Sequence, residues 1–148
     1  MPTITIETPG FRPARRRAVA VRLTRWLRTH GADPAHVVVH FVDTGGDSVF
    51  TGGLPLNAQY RGDAPLPFAS VVCSVGPDRD EQFRTGLAEE IAAALEATAD
   101  TSFLYIEFRP TDPGLVYYAR DGRLVRAERP DPLPAQLPVP LPTQGMQT

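Results

Sequence analysis

The order strand, helix, strand occurs twice along this chain, and that repetition constrains the fold more than any single residue does. Thr3 to Thr8 alternates, with Ile4 and Ile6 on one side and Thr3, Thr5 and Glu7 on the other, which is the period of a half-buried strand. Gly10, Phe11 and Arg12 lead to Pro13, a residue suited to the first helical position, and the helix it opens runs to about His30 and stops at Gly31. Val19, Leu23, Trp26 and Leu27 form its apolar stripe. His36 to Val42 then reads as a β-branched strand, followed by a Gly-rich segment through Gly53. The second pass begins at Phe68 to Val75, a nearly continuous apolar strand. Gly76-Pro77-Asp78 turns the chain into a helix marked by Phe83, Leu87, Ile91 and Leu95, and Phe103 to Phe108 closes the unit.

Two βαβ units in succession predict an α+β fold, a four-stranded mixed sheet with two helices on one face, because each crossover is right-handed. Leu115 to Arg120 and Leu124 to Arg126 flank Asp121-Gly122, a signal for an added C-terminal hairpin. The expected organisation is one domain over residues 1–128, with pseudo-repeats 2–53 and 68–108 joined by a polar linker, Leu54 to Pro67, that holds three prolines. Residues 129–148 alternate proline with small apolar residues, a pattern that supports neither helix nor sheet ladder and reads as an extended tail.

Charge and composition narrow the function. The net charge of -2 gives no field that would gather nucleic acid or an anionic membrane. The arginines of the first helix, Arg15, Arg16, Arg17, Arg22, Arg25 and Arg28, have no aromatic stacking platform beside them, so they read as a solvated face. No apolar run is long enough for a bilayer, and the opening residues lack the pattern of a signal peptide, so a cytoplasmic protein is expected. Cys73 is alone and His36 and His40 have no third partner by spacing, so neither a disulfide, a metal nor another cofactor is expected. All fifteen basic residues are arginine. If the protein performs amine chemistry, only the amino terminus supplies the amine.

Met-Pro followed at once by an alternating strand, then a basic amphipathic helix, then VVVHFVDTGGDSVFTGG, resembles the βαβ unit of 4-oxalocrotonate tautomerase. The doubled unit is similar to the long-chain branch of the tautomerase superfamily that contains cis-3-chloroacrylic acid dehalogenase and malonate semialdehyde decarboxylase, over roughly Pro2 to Arg123. The resemblance implies a homotrimer. It also implies that Pro2, freed by removal of Met1, is the catalytic acid or base for keto-enol proton transfer on a small 2-oxo or unsaturated carboxylic acid.

Position by position, Arg79 in GPDRDEQF matches an arginine that holds the substrate carboxylate, and Phe50 in SVFTGG matches an aromatic wall of the site. Arg12 lies close to a substrate-binding arginine of the short-chain members. Other positions depart from the dehalogenase pattern: Gly76 stands where a second arginine would, and Leu27 or Arg28 stands where a histidine would, with His30 nearby. Tyr117 occupies the place of a water-activating glutamate, while Tyr105 and Glu107, on one face of a strand, offer a tyrosine and an acid in a changed arrangement. These departures leave a proline-dependent tautomerase as the simplest activity. The open alternatives are a hydratase, dehalogenase or decarboxylase of the same family, or a tautomerase-like fold that only binds or assembles.

Overall fold

The structure is a computed structural model that describes residues 1–59 and 63–127. The alternation at the start becomes β1 (Thr3–Thr8), which buries Ile4, Ile6 and Thr8 and turns Thr3, Thr5 and Glu7 the other way. α1 (Pro13–Thr29) begins on its proline and buries Val19, Leu23 and Leu27, while Trp26 is only half-buried. It ends through His30 into Gly31, whose φ of 86° is a left-handed conformation that glycine adopts without a Cβ penalty.

β2 (Val38–Asp43) starts two residues later than the alternation predicts. Pro34 to His36 forms a 3-10 turn capped by the Asp33 carboxylate, which accepts the Ala35 N–H at 2.9 Å. β3 (Phe50–Thr51) and β4 (Leu54–Pro55) make a small hairpin over Gly52 and Gly53. β5 (Phe68–Val75), α2 (Glu81–Ala94) and β6 (Phe103–Pro110) form the second unit, and β7 (Tyr117–Arg120) and β8 (Arg123–Arg126) form the expected hairpin.

The sheet has the order β2-β1-β5-β6. Each βαβ unit supplies one parallel pair, and the two pairs meet antiparallel in the middle, where Ile4 faces Cys73 and Ile6 faces Val71. Those residues and the buried stripes of both helices share one core cluster, so the helices cover a single face. Each fully buried leucine on these stripes contributes about 1.5–3 kcal/mol by leaving water. The opposite face carries Thr3, Thr5, Glu7, Ser70, Val72, Ser74 and Glu107, together with the exposed Val38, Val42 and Tyr105.

The connection from Leu54 to Pro67 corrects the expectation of a plain polar linker. Leu56 and Leu66 are fully buried: the Leu56 N–H donates to the Val49 carbonyl at 2.9 Å, holding that end of the segment against the Gly-rich stretch, and Leu66 joins the main cluster. Leu115 also departs from the expected strand: it lies in a 3-10 turn capped by Asp112 and is 79% exposed. The tail at 129–148 lies outside the described residues. Leu66→Ala should lower the unfolding free energy by about 3 kcal/mol in a denaturant titration, the cost of a cavity in a packed core. A loss below about 0.5 kcal/mol, the range of a solvated surface position, would contradict the placement.

Candidate active site

Pro2 sits directly before β1, and its carbonyl accepts the Val38 N–H at 3.1 Å, which pins it to the start of β2. The antiparallel β5 brings Val75 and Gly76 to the same end of the sheet, and α1, running back over β1, delivers Leu27 and His30 there. After β6 the Thr111 N–H donates to the Val75 carbonyl at 2.7 Å, and this contact folds the turn carrying Pro113 and Val116 over the opening. The result is a cavity of about 170 Å³ lined by Met1, Pro2, Leu27, Asp78, Arg79 and Phe83, with Val75, Gly76, Thr111, Pro113 and Val116 completing the wall. The structure thus brings together the two residues on which the sequence reading placed most weight, Pro2 and Arg79.

Arg79 is held from two sides. Its Nη1 donates to the His30 carbonyl at 3.0 Å, satisfying an acceptor that the end of α1 leaves open, and its guanidinium lies 4.6 Å from the centre of the Phe83 ring. The Asp80 carboxylate is engaged elsewhere, accepting the Phe83 N–H at 2.8 Å as the cap of α2. Among the described residues Arg79 makes no ion pair with a carboxylate. It is therefore an oriented cation beside a small cavity with donor capacity to spare, the arrangement that suits a carboxylate ligand.

Arg79 and Phe83 also border an open cleft of about 800 Å³ with Trp26, His30, Gly86 and Glu89. The Trp26 and His30 rings stack at 3.7 Å, and a Cβ at Gly86 would stand 3.1 Å from the indole, so the glycine lets α2 approach the tryptophan. Sequence reasoning noted His30 only as a neighbour of an expected histidine position. Its carbonyl, which nothing in the residue type advertises, is what fixes Arg79. Pro113 and Val116 were equally silent, because their place depends on the Asp112 cap, whose carboxylate accepts the Gly114 N–H at 2.8 Å.

The other expected site residues do not line the cavity in a single chain. Arg12 is exposed at the start of α1, the far end of that helix. Phe50 is 59% exposed on β3. Tyr105 and Glu107 lie on the open sheet face, where Tyr105 Oη donates to Glu107 at 3.3 Å and Arg109 Nε donates to it at 2.8 Å. Hydrogen bonding from Arg109, helped by its charge and by Tyr105, holds the Glu107 carboxyl below its ordinary range. Tyr117 is exposed on β7 with Arg126 over its ring at 5.5 Å. Cys73 is no nucleophile in this state, since burial pushes its thiol up to about 12. Among the described residues no helix is long and apolar enough to cross a membrane.

The arrangement of strands and helices matches solved structures of the tautomerase superfamily. A fused 4-OT symmetric trimer is 17% identical, with a TM-score of 0.62 over 84% of this chain and 95% of that one. A member of the cis-3-chloroacrylic acid dehalogenase family is 23% identical, with a TM-score of 0.60 over 83% and 82% of the two chains. The macrophage migration inhibitory factor of Toxoplasma gondii is 18% identical, with a TM-score of 0.60 over 83% and 99%. No protein-family model and no curated protein matches the sequence. At these identities the likeness is one of fold, and the chain has the tautomerase fold in its doubled, long-chain form.

Proposed function

We propose that the protein is a tautomerase-like enzyme in which Pro2, freed by removal of Met1, moves a proton between carbon and oxygen of a small 2-oxo or unsaturated carboxylic acid held by Arg79. The observation that carries this reading is the shared cavity of about 170 Å³, whose wall includes both residues. With Met1 attached, the Pro2 nitrogen is an amide with a delocalised lone pair and accepts no proton. Removal of Met1 leaves a secondary amine at the cavity wall. The guanidinium of Arg79 disfavours a second cation in so small a space, while the carboxylate of Asp78 favours one, and their balance decides whether the amine works as base or acid.

The steps follow from these positions. The substrate carboxylate takes the open donors of Arg79, which sets the carbon next to the carbonyl towards Pro2. As base, the amine removes a proton from that carbon, and the C–H electron pair passes into the enolate. The resulting ammonium gives the proton to the enolate oxygen to form the enol; in the opposite direction the amine takes the enol O–H proton and delivers it to carbon. Leu27, Val75, Phe83 and Val116 restrict water around the amine, which strengthens the charge interactions at the wall.

The same reading includes a homotrimer in which the face bearing Val38, Val42 and Tyr105 packs against other copies. Support comes from that exposed apolar surface, from the two open sheet edges, and from the trimer formed by one structure of the same fold. Light scattering should report three chains per particle at micromolar concentration, and a stable monomer would contradict the assembly.

For catalysis, Arg79→Ala should lower kcat/KM for an enol acid such as phenylenolpyruvate by about a hundredfold, about 2.7 kcal/mol, with the fold retained. Arg79→Lys should recover part of that, since the charge returns without the planar fork. Pro2→Ala should cost about a hundredfold or more, and one residue added before Pro2 should abolish turnover altogether. Unchanged kinetics in Arg79→Ala would remove this residue from the site, and full activity in protein shown by intact mass to retain Met1 would remove Pro2.

A further inference from the structure

The two halves of the fold place a similar set of contacts at opposite ends of the sheet. At one end the Val38 N–H donates to the Pro2 carbonyl at 3.1 Å, and at the other the Ser102 N–H donates to the Pro67 carbonyl at 2.9 Å. Pro67 stands directly before β5 as Pro2 stands before β1. Each helix also ends in the same way. His30 and Leu95 are the cap residues, and Gly31 and Glu96 follow with φ of 86° and 57°. The next N–H groups, those of Ala32 and Ala97, both return to a carbonyl five residues back.

An arginine from the neighbouring helix meets each of these ends. Arg79, just before α2, donates to the His30 carbonyl and lies over Phe83. Arg15, in the first turn of α1, donates through Nη2 to the Leu95 carbonyl at 3.1 Å and through Nη1 to the Pro65 carbonyl at 2.7 Å, and lies 3.8 Å from the centre of the Phe11 ring. The two arginines differ in position relative to their helix starts but do the same work.

They differ in charge partner. Arg15 Nη2 lies 3.1 Å from the Glu96 carboxylate, whereas the place of Glu96 at the Pro2 end is taken by Gly31, which has no side chain. Glutamate at positive φ is unusual, because its Cβ crowds the backbone there. A residue kept in that conformation where glycine would be unstrained points to a use for its side chain. At Gly31 the converse holds: a Cβ would meet nothing within 4 Å, so it is not lack of room that keeps a side chain out. One buried donor of the same guanidinium, Arg15 Nε, has no hydrogen-bond partner within the protein.

We infer that the Pro67 end is a second binding site for a small monocarboxylate, built on Arg15 and kept closed by the Glu96 carboxylate, which occupies the place of the ligand. The residue that follows each helix cap thus selects which end of the sheet accepts an external anion: Gly31 leaves Arg79 open, and Glu96 closes Arg15. The Pro67 nitrogen lies within the chain as an amide, so an anion admitted there is bound without turnover. This extends the proposed role of Arg79 but rests on Arg15 and Glu96, whose contacts do not involve Pro2.

The test uses the full chain, with trifluoroacetate as the probe followed by 19F NMR titration. The wild type should bind one equivalent per chain, lost in Arg79→Ala. Glu96→Gly should bind a second equivalent at least tenfold more tightly than any weak binding of the wild type beyond the first, and Arg15→Ala in that background should remove it. Glu96→Gln, which keeps the backbone residue type non-glycine, should show the same gain in weaker form. Gly31→Glu should lose the first equivalent, while Gly31→Ala, equally strained but uncharged, should keep it. A Glu96→Gly protein with no added equivalent, or with one indifferent to Arg15, would overturn the inference. If Arg79 does not hold carboxylates, the wild type binds none, and the Arg15-dependent equivalent in Glu96→Gly still decides the second site on its own.

Discussion

The antiparallel ladder between β1 and β5 is the constraint on which the rest depends. Because Ile4 faces Cys73 and Ile6 faces Val71, the start of one βαβ unit lies beside the end of the other's first strand. Pro2 therefore stands next to Gly76 and Arg79, residues more than seventy positions away in the chain. The same ladder sets the helices antiparallel, so each amino-terminal arginine lies against the other helix's carboxyl end. A parallel join would have sent Arg79 to the opposite end from Pro2 and left no common cavity.

Charge then differentiates two ends that the backbone makes alike. Helix ends expose unpaired carbonyls, and here both are met by guanidinium groups that stack on phenylalanine. That contact orients the arginine without neutralising it. What neutralises Arg15 is one carboxylate at a strained position, and its pair with Glu96 is partly solvated, the side chains being 29% and 63% exposed. Such a pair adds little stability, at most about 1 kcal/mol. Its consequence lies in occupancy of the guanidinium, whereas among the described residues Arg79 makes no ion pair, although Asp78 shares its cavity.

Much of the fold was legible because its signals are local. Alternation in β1, the four-residue spacing of Phe83, Leu87, Ile91 and Leu95, and Asp121-Gly122 between two short strands all state their structure in a few neighbouring residues. The burial of Leu56 and Leu66 was not legible, since it depends on tertiary contacts: Leu66 packs into the main core, and the Leu56 N–H is held by the Val49 carbonyl. Of the site, Arg79 was visible through its sequence context, but its orientation was not. The acceptor is the backbone carbonyl of His30, contributed by a separate element, and side-chain identity says nothing of it. Phe50 and Tyr117 were assigned by matching positions and Tyr105 and Glu107 by their shared strand face; in a single chain Phe50, Tyr105 and Tyr117 are exposed and Glu107 is half-buried.

The central claim is that the reactive nitrogen is that of Pro2, and the composition makes it unusually easy to test. With no lysine in the chain and the Cys73 thiol buried and protonated, an electrophilic acetylenic 2-oxo acid has one amine to attack. Incubation of the native protein followed by peptide mass mapping should give a single adduct, on the amino-terminal peptide beginning at Pro2, with loss of activity in proportion to labelling. An adduct on any other residue that tracks the loss of activity, or full activity after Pro2 is completely labelled, would contradict the account.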